Sequence, residues 1–75
     1  MLKDNIMKVY SLLGFTDYEG STLLGVFKSV KDVIQYVKSP NRPKWYYDNV
    51  GYIESELGDG INDVEGNITY YFENI

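Results

Sequence analysis

The chain has 75 residues, with no Cys, no His and 11 acidic against seven basic residues, for a formal net charge of −4 at pH 7. A chain of this length forms one small domain that buries only about 60% of its unfolded surface, and without Cys it holds neither a disulfide nor a thiolate metal site. The missing His removes the commonest general base, and the acidic balance argues against sequence-independent nucleic-acid binding, which depends on Lys and Arg.

The sequence predicts a soluble, cytoplasmic protein. No apolar run reaches the roughly 18–20 residues of a membrane span, and residues 1–6 lack the apolar core of a signal peptide. We therefore expect no membrane partner. Homodimerisation would let so small a domain bury more surface.

Residues 6–15 predict the first strand, because they are rich in β-branched and aromatic residues. A helix over residues 2–13 is the competing interpretation, since short apolar runs are ambiguous. In the strand interpretation, one face holds Val9, Ser11, Leu13 and Phe15, and the other holds Lys8, Tyr10, Leu12 and Gly14.

A polar turn at residues 16–21 follows, in which Gly20 can supply a positive φ. Residues 22–27 then predict a second strand, which forms a hairpin with the first.

The clearest predicted element is a helix that begins after Ser29. Ser29 and Asp32 form a capping-box-like start, in which their side chains satisfy free N–H groups. An apolar stripe at positions i, i+3, i+4 and i+7 follows, made by Val30, Val33, Ile34 and Val37. Pro40 ends the helix because it lacks the N–H that a further turn would need. These β-branched residues are poor helix formers, so packing on a sheet must stabilise the helix.

From Lys44 the period of two returns and predicts a third strand, in which Gly51 indicates a bulge or a close approach of another backbone. One face of this strand holds Tyr46, Asp48, Val50, Tyr52, Glu54 and Glu56. Residues 58–60 form a turn, residues 61–67 an acidic loop with room for a short strand, and residues 68–73 a final strand. The order β-β-α-β-β predicts an α+β fold, an antiparallel sheet of about four strands with one helix on one face.

Three segments carry a family resemblance: Val9-Tyr10, Gly25-Val26-Phe27-Lys28-Ser29 before the helix, and the Tyr-rich, acidic stretch at residues 52–59. Residues 7–59 resemble small uncharacterised bacterial and phage ββαββ proteins. The chain departs from their pattern in its short, Val-rich helix. The resemblance implies a helix-on-sheet fold and a bacterial or phage origin, and it implies no chemistry. The small size, the acidity and the lack of catalytic residues are also similar in type to phage-encoded inhibitors of host proteins.

Charge is distributed unevenly along the chain. Residues 1–44 contain all seven basic residues and four acidic ones, a balance of +3, whereas residues 45–75 contain seven acidic residues and no basic one, a balance of −7. The acidic half also contains seven of the 12 aromatic residues. Such asymmetry predicts a surface that docks a basic partner, somewhat as a nucleic acid presents phosphates. The residues predicted to bind that partner are Trp45, Asp48, Tyr52, Glu54, Glu56, Asp59, Asp63 and Glu65. The alternative is a solvated edge whose charges prevent aggregation.

Other sites receive little support from the sequence. Paired carboxylates can act as an acid and a base, but a 75-residue sheet is poorly built to raise the pKa of one of them. The segment after Asp59 has Ile61, Val64 and Tyr70 where a calcium loop needs a ligand, a Gly and a Glu. The aromatic residues lie in the half without cations, which disfavours base stacking. We therefore expect no catalytic residues, no metal, no cofactor and no direct nucleic-acid binding.

The sequence thus predicts a small non-enzymatic binding protein, phage-encoded, that inhibits or modulates a bacterial protein with a basic surface, such as a nucleic-acid-handling or defence protein. Two alternatives stay open. One is a structural subunit that self-associates through its Tyr-rich final strand, and the other is a small ligand-binding regulatory module.

Overall fold

The computed structural model describes residues 7–17, 20–58, 60–61 and 64–72, with the backbone alone at residue 65. The elements, in chain order, are β1 (Lys8–Thr16), β2 (Gly20–Phe27), α1 (Val30–Lys38), β3 (Asn49–Glu56), a 3₁₀ turn (Glu65–Asn67) and β4 (Tyr70–Phe72). The α+β class predicted from the sequence is confirmed.

The four strands form one antiparallel sheet in the order β2-β1-β3-β4. The two outer pairs are the predicted hairpins, and β1 joins them by pairing with β3 along its whole length, from Lys8 opposite Glu56 to Phe15 opposite Asn49. This central pairing brings the basic and the acidic halves of the sequence side by side.

The β1–β2 hairpin follows the predicted alternation. Leu12 faces α1 while Leu13 lies in a core on the opposite face of the sheet. Gly20 has a φ of 81°, as its place in the turn predicted. The register shifts between Leu12 and Leu13, whose partners are Gly25 and Leu23, so Leu24 is the extra residue of a β-bulge in β2.

Helix α1 begins as the capping pattern predicted. The Oγ atom of Ser29 accepts a hydrogen bond of 3.1 Å from the backbone N–H of Asp32. Val33 and Val37 are buried against the sheet. The helix ends at Lys38, and Pro40 follows two residues later. With nine residues, α1 is far shorter than the roughly 20 residues of a transmembrane helix, and no described helix could cross a membrane.

Two cores lie on opposite faces of the sheet. The buried residues on the helix face are Leu12, Val33, Val37, Val50 and Tyr52. The buried residues on the opposite face are Leu13, Phe15 and Ile53, which are covered by Ile61, Val64 and Ile68 of the loop before β4. This second core explains how a chain with one helix buries both faces of β1 and β3.

The structure corrects the limits of the last strands. Residues 44–48, predicted as the start of the third strand, lie outside the sheet ladder. They pack on it instead, where the ring of Tyr47 lies directly over Gly14 and the N–H of Asp48 donates to the carbonyl of Phe15 at 2.8 Å. Within the described residues the final strand is Tyr70–Phe72, so it begins two residues later than predicted. The described part of the acidic loop contains a 3₁₀ turn in place of a strand.

Gly51 confirms the predicted close approach of another backbone. A Cβ atom at this position would lie 2.6 Å from the carbonyl oxygen of Tyr70. The absence of a side chain therefore lets β4 pack tightly on the middle of β3.

Candidate protein-docking surface

The helix face of β3 changes from apolar to acidic along its length. Val50 and Tyr52 are buried beneath α1, whereas Glu54 and Glu56, two and four residues further along the same face, are exposed. Alternate residues of a strand point to the same side, so these carboxylates share one face, as the sequence predicted. The strand itself therefore aligns both charges next to the aromatic core.

Lys8 on β1 changes the electrostatics of this acidic end. Lys8 is paired with Glu56 in the strand register, and its Nζ atom lies 2.9 Å from Oε2 of Glu54. This hydrogen bond and the charge of Glu54 raise the pKa of Lys8 above its ordinary value. Although residues 45–75 contain no basic residue, Glu54 is therefore paired with a cation from β1. Lys8 and Glu54 are far apart in the sequence, and the pairing of β1 with β3 brings them into contact.

Tyr52 is the centre of an aromatic cluster on the same face. Its ring centroid lies 5.8 Å from that of Tyr10, with the two rings nearly perpendicular, 5.8 Å from Tyr70 and 6.0 Å from Phe72. Tyr52 is only 9% exposed, and burial, with a smaller effect from the charge of Glu54, raises the pKa of its hydroxyl. The ring of Tyr52 thus forms the floor of the surface, and its more exposed neighbours form the part that a partner can reach.

An open groove lies between α1 and β4 over this cluster. Its volume is about 320 Å³, and it is lined by Val30, Ile34, Lys38, Tyr52, Tyr70 and Phe72. We call it the tyrosine groove. Tyr70 is about half exposed and lies at its edge, and Lys38 is the one charged residue among the described residues that line it. Tyr52 lines the groove and lies two residues before Glu54 on the same face of β3, so the acidic end formed by Glu54 and Glu56 is adjacent to the groove.

Asp48 lies away from this surface and has a structural role. Its Oδ2 atom accepts a hydrogen bond of 2.9 Å from the N–H of Asp17, and its own N–H donates to the carbonyl of Phe15 at 2.8 Å. Asp48 also lies six residues before Glu54, which corresponds to about 20 Å along a strand. Asp48 therefore stabilises the turn between β1 and β2, which lies at the end of the sheet away from Glu54.

Trp45 is partly exposed, but it is separate from the groove. Its ring lies 4.0 Å from the guanidinium carbon of Arg42 and 5.9 Å from the ring of Tyr36. At about 100° per residue, Tyr36 lies on the flank of α1 opposite to Ile34 and Lys38. The most exposed aromatic residue described is Tyr46, at 80%.

The remaining predicted residues can be placed only in part. Asp59 and Asp63 lie outside the described residues, and for Glu65 the structure gives the backbone alone, at the start of the 3₁₀ turn. Of the eight predicted binding residues, the structure brings Tyr52, Glu54 and Glu56 together. Within the described ranges, no group of three or more acidic residues is arranged to hold a metal ion.

Sequence reasoning missed Lys8, Ile34, Lys38 and Tyr70 as members of this surface. Ile34 stood at one side of the predicted helical stripe, where partial exposure is expected, and that signal was readable. Lys8 could not be assigned, because its position depends on the pairing of β1 with β3, which no local pattern encodes.

Comparison of the chain with protein-family models, with curated proteins and with solved structures finds no match. The resemblance to bacterial and phage ββαββ proteins therefore stays a prediction, and the functional argument depends on the geometry of the chain alone.

Proposed function

We propose that this chain is a non-enzymatic binding protein that docks a basic protein surface with the tyrosine groove and the adjacent carboxylates of Glu54 and Glu56. The observation that supports this proposal is an open apolar groove that lies next to two exposed carboxylates on one face of β3. Apolar burial supplies affinity and charge supplies steering and register, so the two together form a typical docking surface.

The chemistry of the surface defines the partner. A groove of about 320 Å³ with three aromatic residues in its lining accepts one or two apolar or aromatic side chains. The carboxylates beside it favour Arg or Lys on the partner, and Arg can bond a carboxylate through two N–H groups. The expected partner therefore presents an apolar side chain flanked by cations.

Lys8 already forms a salt bridge with Glu54, one of the two carboxylates proposed to bind the partner. A cation of the partner has to share Glu54 with Lys8 or displace it, while Glu56 has no salt bridge among the described residues. Because the Lys8–Glu54 pair is exposed, separating it costs little. The surface can therefore exchange an internal cation for an external one.

Together with the resemblance noted above, this surface leads us to the same function that the sequence predicted. The chain acts in the bacterial cytoplasm as a phage-encoded inhibitor or modulator of a host protein, and proteins that handle nucleic acids or act in defence offer the basic surfaces it requires.

Charge variants test the proposal in both directions. The Glu54→Lys/Glu56→Lys double variant should lose a basic partner captured from bacterial lysate, whereas Lys8→Gln should bind the same partner more tightly, because it removes the competing cation. Asp17→Lys is the matched control, since Asp17 is an exposed carboxylate at the opposite end of β1. Binding of the isolated partner is then measured at several salt concentrations, where the wild type should weaken as salt rises.

One outcome of these binding measurements contradicts the proposal. If the double variant and Asp17→Lys bind the partner as the wild type does, electrostatic docking at Glu54 and Glu56 is excluded.

The groove also favours a second candidate, a small ligand-binding regulatory module, because its volume lies at the lower end of the range for ligand pockets. A thermal-shift screen tests it. A stabilising compound should lose its effect in Ile34→Lys, which fills the groove, and a screen without any stabilising compound removes this candidate.

A further inference from the structure

The sheet face opposite α1 is only partly covered. The loop residues Ile61, Val64 and Ile68 pack over Leu13, Phe15 and Ile53 at one end. Near the start of β1, the strand register pairs Val9 with Ser55 and Ser11 with Val26. Near the middle of β1, Leu13 is paired with Leu23. The N–H of Leu57 bonds the carbonyl of Met7 at 2.7 Å and extends this face beyond the strands. We call the uncovered residues the neutral face: Met7, Val9, Ser11, Leu23, Val26, Ser55 and Leu57.

The neutral face is apolar, exposed and free of charge. Met7, Leu23, Val26 and Leu57 are 50%, 58%, 56% and 66% exposed. Together these four side chains expose on the order of 400 Å², which is within the range of the largest apolar patch on a typical monomer, a patch that is often functional. None of its seven residues is charged at pH 7, although 18 of the 75 residues of the chain are Asp, Glu, Lys or Arg. An apolar surface whose own members carry no charge is suited to lie against another apolar surface.

We propose that the neutral face binds the neutral face of a second copy of this chain, so that the protein forms a two-fold symmetric dimer. Electrostatics select this surface. Each copy has a net charge of −4, so two copies repel each other in general. Contact through the helix face would bring Glu54 and Glu56 of both copies together, whereas contact through the neutral face brings no carboxylate of this surface against another.

The shape of the surface also fits a copy of itself. Leu23 and Val26 stand on β2 at one side, and the small residues Ser11 and Ser55 lie beside them on β1 and β3. In a two-fold interface each patch meets the same patch, so the large side chains of one copy can lie over the serines of the other. A standard interface buries about 800 Å² per partner. The four large side chains provide about half of this area.

Neither edge of the sheet offers an equivalent route to a dimer. The β-bulge at Leu24 interrupts β2 near its middle, and bulges of this kind protect an edge strand from pairing with another strand. In the described part of the chain the opposite edge, β4, comprises the three residues Tyr70–Phe72. Packing through faces is therefore favoured over extension of the sheet, and this surface differs from the final strand that the sequence suggested for self-association. The dimer would leave the tyrosine groove accessible, because that groove lies on the other face.

Sedimentation equilibrium of the full chain tests this proposal. Between low micromolar and millimolar concentration, the wild-type mass should rise from 8.7 kDa towards twice that value. Val26→Lys and Leu57→Lys should each raise the dissociation constant of the dimer at least tenfold, because each places two like charges in the two-fold interface. Tyr46→Lys is the control, since Tyr46 is exposed but lies outside the neutral face, and it should dimerise as the wild type does.

Both variants change exposed side chains, and circular dichroism should confirm that they remain folded. As a second measurement, amide NMR shifts of the wild type should change on dilution at the neutral face and stay constant at Tyr70 and Ile34. A wild type that remains monomeric at millimolar concentration overturns the proposal. So does a dimer that persists in Val26→Lys and Leu57→Lys, or one whose dilution shifts lie at β4 or in the groove.

Discussion

Gly51→Ala should destabilise this protein strongly for so small a change. The new Cβ atom would lie 2.6 Å from the carbonyl oxygen of Tyr70 and 3.2 Å from side-chain atoms of Ile68 and Tyr71. The nearest atom belongs to the backbone of β4, so no side-chain rotation relieves the contact. The ladder between β3 and β4 has to separate.

The expected loss is about 1–3 kcal/mol of unfolding free energy, the usual result of overpacking a well-packed site. A domain of this size seldom has more than about 3–5 kcal/mol of stability, so the variant should lose a large part of it. Each kcal/mol corresponds to a fall in Tm of about 4–8 °C for a domain of this length. Because β4 contributes Tyr70 and Phe72 to the tyrosine groove, partner binding should weaken as well.

Urea unfolding followed by the fluorescence of Trp45, the only Trp, measures the loss. Gly60→Ala is the matched control, because a Cβ there meets no atom within 4 Å and the backbone has no positive φ. It should be neutral or stabilising by up to about 1 kcal/mol, since Ala restricts the unfolded chain. If Gly51→Ala proves as stable as Gly60→Ala, the close packing of β4 on β3 is refuted.

Three further predictions concern the core, the helix start and alkaline pH. Leu12 is completely buried, so Leu12→Ala should lower the unfolding free energy by about 2–5 kcal/mol. Leu12→Met should lower it by less than about 1.5 kcal/mol. Equal losses for the two variants in urea unfolding would contradict the close packing around Leu12. Ser29→Ala should cost about 1 kcal/mol, because the N–H of Asp32 loses its acceptor, while Ser29→Asp should retain most of the wild-type stability in the same assay. Burial raises the pKa of Tyr52 above its ordinary value of 10.0. Its contribution to stability is therefore fully present below pH 10.0 and is lost as the pH rises towards the folded-state pKa. In thermal unfolding, Tyr52→Phe should lose less stability than the wild type as the pH rises over that range. If the Tm of both proteins falls equally with pH, ionisation of Tyr52 is not the cause of the loss.

Local patterns in the sequence predicted most of the fold. The capping residue Ser29, the valine stripe and Pro40 define α1 to within a residue, because capping and helical periodicity depend on neighbours along the chain. The alternation in β1 correctly assigned Leu12 and Leu13 to opposite faces, since a strand exposes alternate side chains to opposite sides.

Residues 44–48 show where a local pattern fails. They alternate like a strand, but the ring of Tyr47 packs over Gly14 and Asp48 bonds both Phe15 and Asp17. Tertiary contacts determine the conformation of this segment, and its period of two carries no information about them. The final strand is shortened for a related reason, because Ile68 is required in the core opposite α1.

The candidate site was predicted only in part. The sequence identified Glu54 and Glu56 as neighbours on one face of a strand, which alternation alone establishes. It could not identify Lys8 as their partner or Tyr70 as the edge of a groove, because both depend on which strands are adjacent in the sheet.

The sequence by itself determined the elements, the face of each strand and the total charge, since these follow from propensity, periodicity and composition. The tertiary structure alone decided how that charge is distributed. The contrast between a basic first half and an acidic second half is reduced where β1 lies against β3 and Lys8 contacts Glu54. Strand pairing joins residues 46 positions apart, and at that separation spatial neighbours are set by the packing of the whole sheet.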